Sequence, residues 1–183
     1  LGTFGSETDE YEVLLNITKL KNLKVPPFFI TLAHNFNNDL CGHAPSLQPL
    51  GAFVDQSVNL DKGISSLGYK VLRKLLDDKD GSAILVDIKH MSLKSRQDYY
   101  TFLEIEYSNS IPIIVSHGAV TGTTYYGEDG SSLSSDLFSK DTINFYDEEL
   151  IKIAQSKGLF AIQFDAKRLA PKSAIKKSLF KNN

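Results

Sequence analysis

Three histidines close three apolar, β-branched runs: FFITLAH ends on His34, ILVDIKH on His90 and IPIIVSH on His117. A fourth run, LFAIQFD, ends on Asp165. Imidazoles and carboxylates are the side chains that ligate divalent metals and move protons near neutral pH. If the runs are neighbouring parallel strands, their C-terminal ends share one edge of the sheet. That edge carries the ligand site in barrels and in doubly wound sheets. A lone histidine at a strand end is ordinarily a hydrogen-bonded structural residue, so it is the repetition in register that points to a shared role. His34 has the parity of Leu32 and Ile30, His90 that of Ile88 and Val86, and His117 that of Val115 and Ile113. This predicts a barrel interior filled by those apolar residues and topped by the imidazoles. Imidazole ligands on such a rim suit zinc, and the chemistry that follows is activation of water for hydrolysis.

The remaining polar candidates carry less weight. Asp87 has the opposite parity from His90, which predicts that it points to a helix layer, within reach of Lys89 or Lys94. His43, in the loop motif CGHA, reads as a loop-ordering hydrogen-bonder. Cys41 is a soft ligand without a second cysteine to complete a zinc pair. Asp165 could equally cap the helix that follows it. Arg168 follows Asp165 closely enough to reach a substrate carboxylate.

The elements that must position these groups follow from periodicity. Thr8 or Asp9 caps a predicted helix to about Leu23, and Pro26-Pro27 leads into a strand over Phe28–Ala33. An amphipathic helix is predicted over Asp61–Leu76, with Ile64, Leu67, Val71, Leu72 and Leu75 on one stripe. A strand over Ala83–Lys89 comes next. Ser92 or Ser95 then caps a helix to about Tyr107, with Tyr99, Phe102 and Leu103 inward. The later elements are a strand over Ile111–Ser116, a helix capped by Asp147 and closed by Gly158, and a strand over Leu159–Phe164. The tail beyond Ala166 is basic. Alternating strands and helices of this length predict an α/β fold with parallel strands and right-handed crossovers. Two segments, 34–59 and 118–142, are too long for simple connectors. The second carries Tyr125, Tyr126, Glu128 and Asp129.

Composition bounds the alternatives. The 183 residues suffice for one domain with a core, and a net charge of −2 gives no footing for nucleic acid or a membrane surface. One cysteine excludes an internal disulfide. No apolar run approaches the ~20 residues of a membrane span, and the first residues do not read as a signal peptide. A phosphate-cradling glycine loop and a nucleophile elbow are both missing.

The segments FITLAHNFNN, GISSLGYKVLRKLL, ILVDIKHMS, IPIIVSHGAV and NFYDEELIKIAQSKGLFAIQFD resemble the membrane (renal) dipeptidase family. These are zinc dipeptidases of the amidohydrolase-like barrel type, and the bacterial branch is the nearer likeness. The match runs from about Phe28 to Arg168. It implies one partial (β/α)8 TIM-like barrel domain over 1–183, with about four parallel strands and with 34–59 and 118–142 as loops on the C-terminal face. It further implies that His90 and His117 bind the second of two zinc ions, and that His34 contacts the substrate carbonyl. Asn144 and Asp165 would stand on the substrate side. The family's arginine near Asn144 is missing, as are its His-x-Asp pair and its metal-bridging carboxylate. A full barrel of this type takes roughly 250 residues. The expectation is therefore an internal piece of a dipeptide hydrolase, inactive alone, with two open sheet edges that favour self-association. The resemblance leaves the compartment open between bacterial cytoplasm and cell envelope. The competing expectations are a metal-dependent amidohydrolase acting on another amide or a lactone, and a non-catalytic βα domain that binds a small ligand.

Overall fold

The structure is a computed structural model, described for residues 9–47, 55–126, 137–171 and 173–175. Thr8, Glu128, Asp129, much of the two long loops and the basic tail beyond 175 lie outside the described residues. The elements are α1 (Glu10–Lys21), β1 (Phe29–Thr31), α2 (Ser66–Leu76), β2 (Leu85–Asp87), α3 (Leu93–Tyr107), β3 (Ile114–Gly118), α4 (Asp147–Gln155), β4 (Leu159–Ile162) and α5 (Ala166–Leu169). The four strands form one sheet in the order β1-β2-β3-β4, and every neighbouring pair is parallel. Consecutive parallel strands joined by helices are the repeating unit of a (β/α)8 barrel, so the fold is α/β and corresponds to part of such a barrel. No helix among the described residues is long and apolar enough to cross a membrane.

Helix starts follow capping chemistry. Asp9 accepts from the N–H groups of Tyr11 and Glu12 to open α1. Ser92 accepts from Ser95 N to open α3. α2 begins at Ser66, later than the amphipathic stripe suggests, with Ser65 as its cap. Asn59 and Asp61 take left-handed φ values of 57° and 56°, and the chain turns there before the helix can start. α4 is capped one residue earlier than predicted. Tyr146 is the N-cap, its N–H donates to the Glu149 carboxylate, and Asp147 becomes the first helical residue. Past α4, Lys157 takes the left-handed turn expected of Gly158. Gly158 serves close approach instead, since a Cβ there would lie 2.1 Å from Ile113 O.

The sheet faces differ from the parity expectation. Ile84, Val86 and Ile88 join Val71, Leu72 and Leu75 of α2 and Tyr99, Phe102 and Leu103 of α3 in one buried cluster, with Ile113 and Val115 beside them. These apolar residues therefore face the helices and do not fill a barrel interior. Asp87 lies on the other face. Its carboxylate accepts from Thr31 Oγ1 of β1 at 2.8 Å, from Ser116 N of β3 at 2.9 Å and from Lys89 N at 3.1 Å. Lys94 pairs with Asp98 instead. The physical reason is hydrogen-bond supply: a buried carboxylate goes where donors converge, and the neighbouring strands provide them.

A buried ion pair ties α3 to α4. Arg96, fully buried, donates to both oxygens of Glu149, which is also fully buried and also accepts from Tyr100 Oη. Its remaining donors reach the carbonyls of Met91, Thr142 and Asn144. Arg96→Met leaves Glu149 charged and buried without its partner. The expected loss is about 3–5 kcal/mol of stability in chemical denaturation. Arg96→Met combined with Glu149→Leu should recover most of that loss, and failure to recover would show that the carbonyl contacts, not the charge pair, carry the cost.

Candidate active site

The three histidines reach the same rim by different routes. β1 ends at Thr31, before His34, and β2 ends at Asp87, before His90. His117 lies inside β3, which runs on to Gly118. Strand alternation therefore does not fix where His34 and His90 point. His90 takes a left-handed φ of 69°, unusual for a residue with a Cβ, and its carbonyl accepts from Ala44 N at 2.8 Å. Through that turn the chain brings its ring 4.5 Å from the His34 ring and 5.3 Å from the His117 ring, centroid to centroid. The imidazoles form a row with His90 in the middle.

Two of the three rings are held toward the neutral form. Burial pushes the His90 imidazolium down to about 3, and the charges of Lys89, His34, His117 and Arg168 add to the effect. His117 is also lowered, by burial first and then by Lys89. His90 Nδ1 is buried and has no hydrogen-bond partner among the described residues. His117 Nδ1 lies 2.9 Å from Ser116 Oγ. A cavity of about 300 Å3 opens beside His34 at the end of β1, lined by Thr31, Leu32, Ala33 and the NFNN segment Asn35–Asn38.

The other candidates separate by environment. Asn144 is fully buried, its amide nitrogen donates to Ser139 O at 3.0 Å and Arg168 O at 2.8 Å, and its Oδ1 has no partner among the described residues. Asp165 is exposed, and its carboxylate caps α5 by accepting from Lys167 N at 3.0 Å. Sequence reasoning allowed that use of Asp165 beside its place on the substrate side. His43 is buried, with Nε2 3.1 Å from Val58 O, and orders the first long loop. Burial pushes the Cys41 thiol up to about 12, which keeps it protonated and a poor ligand. Sequence reasoning gave little weight to Lys89, which is 1% exposed and lowered to about 8 by burial and by the charges of Arg168 and Arg96. The only sequence signal for it is a lysine at a strand end, flanked by candidate residues.

Among the described residues, no group of three or more His, Cys, Asp or Glu is arranged to hold a metal ion. His90 and His117 nevertheless fit a partial donor set. Both are held in the neutral form that ligates metal, and one offers a buried nitrogen with no other partner.

Compared by sequence, the chain matches no family model and no curated protein. By structure it is similar to the probable dipeptidase PvdM from Pseudomonas aeruginosa, with a TM-score of 0.57 and 19% identity, over 94% of this chain and 36% of that one. A crystal structure of an amidohydrolase from Pseudomonas aeruginosa gives a TM-score of 0.47 and 18% identity, over 81% of this chain and 34% of that one. The chain thus spans little more than a third of either protein's length. The likeness to PvdM shows a shared fold, of which this chain is one portion.

The depressed His90 value sets a pH window. A group protonated at about 6.5 when unfolded and at about 3 when folded binds more protons in the unfolded state between those values. Its contribution to stability is complete above pH 6.5 and is lost as pH falls toward 3. In the metal-free chain, His90→Asn should reduce the loss of melting temperature between pH 7 and pH 4 relative to wild type. Parallel melting curves across that range would show His90 to be solvated and ordinary.

Proposed function

We propose that this rim is part of the active site of a zinc-dependent hydrolase that acts on dipeptides. The observation that carries the reading is the row of three imidazoles, with a buried nitrogen at its centre that has no partner among the described residues. His90 and His117 would hold one zinc of a two-zinc site. Bound there, zinc supplies Lewis acidity and a water acidic enough to attack a peptide carbonyl. His34, beside the cavity at the end of β1, orients the substrate carbonyl and donates to the oxyanion. Asn144 contributes an acceptor through its free Oδ1, suited to a substrate N–H. Asp165 holds the turn into α5 and thereby places Arg168.

A catalytic zinc site uses at least three protein ligands. Two imidazoles bind the ion weakly, so this chain by itself is proposed to be inactive while the protein that completes the barrel turns over dipeptides. Calorimetric titration of the metal-free chain with zinc tests the ligands. One ion should bind, and His90→Ala and His117→Ala should each weaken it by about tenfold or more. Unchanged zinc affinity in both variants would refute the reading. Hydrolysis of alanyl dipeptides by this chain alone would refute its incompleteness.

A further inference from the structure

The first long loop and the last helix are tied together across the rim. Arg168, in α5, donates from Nη2 to Ser46 O at 2.7 Å, although the two residues are 122 positions apart in the chain. Its guanidinium is steadied from another side by Asp141, whose Oδ2 stands 3.7 Å from Nη1, and the two side chains are only 14% and 22% exposed. The backbone of α5 is held as well. The Asn144 amide donates to Arg168 O at 2.8 Å and to Ser139 O at 3.0 Å, while Ser139 N donates to Leu169 O at 3.1 Å. Arg168 is thus fixed at its main chain and at its charge, and a charge-assisted donor so placed can hold the loop that it reaches.

Ser46 passes the tie on to the neighbour of His34. Ser46 Oγ donates to Asn35 Oδ1 at 2.7 Å. Gln56 Nε2 donates to Asn35 O and, at 3.0 Å, to Ser46 Oγ, and Gln56 Oε1 accepts from Leu47 N at 3.0 Å. Asn35 and His34 both line the cavity at the end of β1. β1 ends at Thr31, short of His34, so the sheet ladder does not fix the ring that stands 4.5 Å from His90. Where no ladder supplies hydrogen bonds, side chains supply them and set the path of the loop. Nearer the row, Ala44 N anchors the loop on His90 O. Ser46 lies past that anchor, and Arg168 is the group that ties it to the end of β4.

We propose that Arg168 is a positioning residue for His34: by holding Ser46 it fixes Asn35, and so keeps the His34 ring against His90. That the ring then meets a substrate carbonyl rests on the hydrolase reading above; the tie itself does not. Without the guanidinium, Ser46, Gln56 and Asn35 keep their mutual bonds and move together, and His34 moves with them. The other two rings have separate supports. His117 lies inside β3, and the carbonyl that follows His90, at Met91, is held by Arg96. Loss of the tie therefore displaces one end of the row and leaves the other end in place.

The test is proton NMR of the metal-free full chain at one fixed pH, read on the imidazole rings. Centroids 4.5 Å and 5.3 Å apart bring ring protons close enough for cross-relaxation between His34 and His90 and between His90 and His117. In Arg168→Gln the His34–His90 cross-peak should fall by at least half, while the His90–His117 cross-peak holds its wild-type intensity. Ser46→Ala, which cuts the next bond and leaves the carbonyl of residue 46 in place, should give the same signature, and it decides the matter if Arg168→Gln fails to fold. The double variant should lose no more than either single one, because both cuts lie on one path. An undiminished His34–His90 cross-peak in the folded variants, an equal fall of both cross-peaks, or fully additive losses in the double variant overturns the proposal. The zinc titration separates it from the hydrolase reading. Zinc held by His90 and His117 with an unchanged His34–His90 cross-peak sinks the tie alone, and a lost cross-peak with no zinc binding leaves the tie and sinks the hydrolase reading.

Discussion

One carboxylate governs the geometry of the rim. Asp87 is buried at the end of β2 and accepts hydrogen bonds from the strand before it, the strand after it and its own chain. Parallel strands need such a fastening at their C-terminal ends, because hydrogen bonding there is sparse: β2 and β3 share one paired position, Asp87 with Ile114. Oδ2 takes the Thr31 hydroxyl and Oδ1 takes the Ser116 and Lys89 N–H groups, so loss of the Thr31 hydroxyl would strip one oxygen of its partner, and the three strand ends are held as a unit. The histidines that leave those strands are consequently delivered to one place, whatever path each loop takes.

A second fastening works from outside the sheet. Arg96 binds the carbonyl after His90, at Met91, and the carbonyls of Thr142 and Asn144. It therefore sets the distance between the histidine row and the segment that carries Asn144. Phe145, beneath the guanidinium at 4.7 Å from its ring centroid, fixes that segment's depth and stacks edge-on to Phe160 of β4. The two fastenings differ in kind. Asp87 aligns strands, while Arg96 and Glu149 align a loop against helices, so the site is braced on both sides without contributing ligands from either pair.

The fold was largely legible in the sequence. Apolar runs separated by amphipathic helices require parallel strands, and the caps at Asp9 and Ser92 could be read from residue type and spacing. The convergence of His34, His90 and His117 was read correctly but for a mistaken reason. Parity assigned Val86 and Ile88 to a barrel interior, yet they pack on α2 and α3. The rings meet because His90 turns through a left-handed conformation, and backbone torsion leaves no trace in hydrophobic alternation. Likewise, nothing in residue type announces that Asp87 would be satisfied by a neighbouring strand's N–H, since hydrogen bonds to main chain depend on register and not on side-chain identity. Glu149 is the intermediate case: its spacing from the helix start is visible as a capping pattern, while its burial against Arg96 is not.

The electrostatics of the rim explain why imidazole and lysine occur side by side in DIKHMS. An isolated buried histidine loses its proton by desolvation alone, but a neighbouring carboxylate would restore it. Here Asp87, held by three donors, still raises His117 through its charge, but burial and the Lys89 cation outweigh it, and Lys89 and Arg168 lower His90 further. Lys89 therefore deepens the neutrality of His90 and His117, and Arg168 that of His90, and neutral rings do not repel a divalent ion as protonated imidazoles would. The cost is a buried lysine, whose ammonium has one long hydrogen bond, 3.4 Å to Ile143 O, and is lowered to about 8. Among the described residues the rim is coordinatively unfinished, since its imidazoles alone do not make up the donor set that a closed metal site requires.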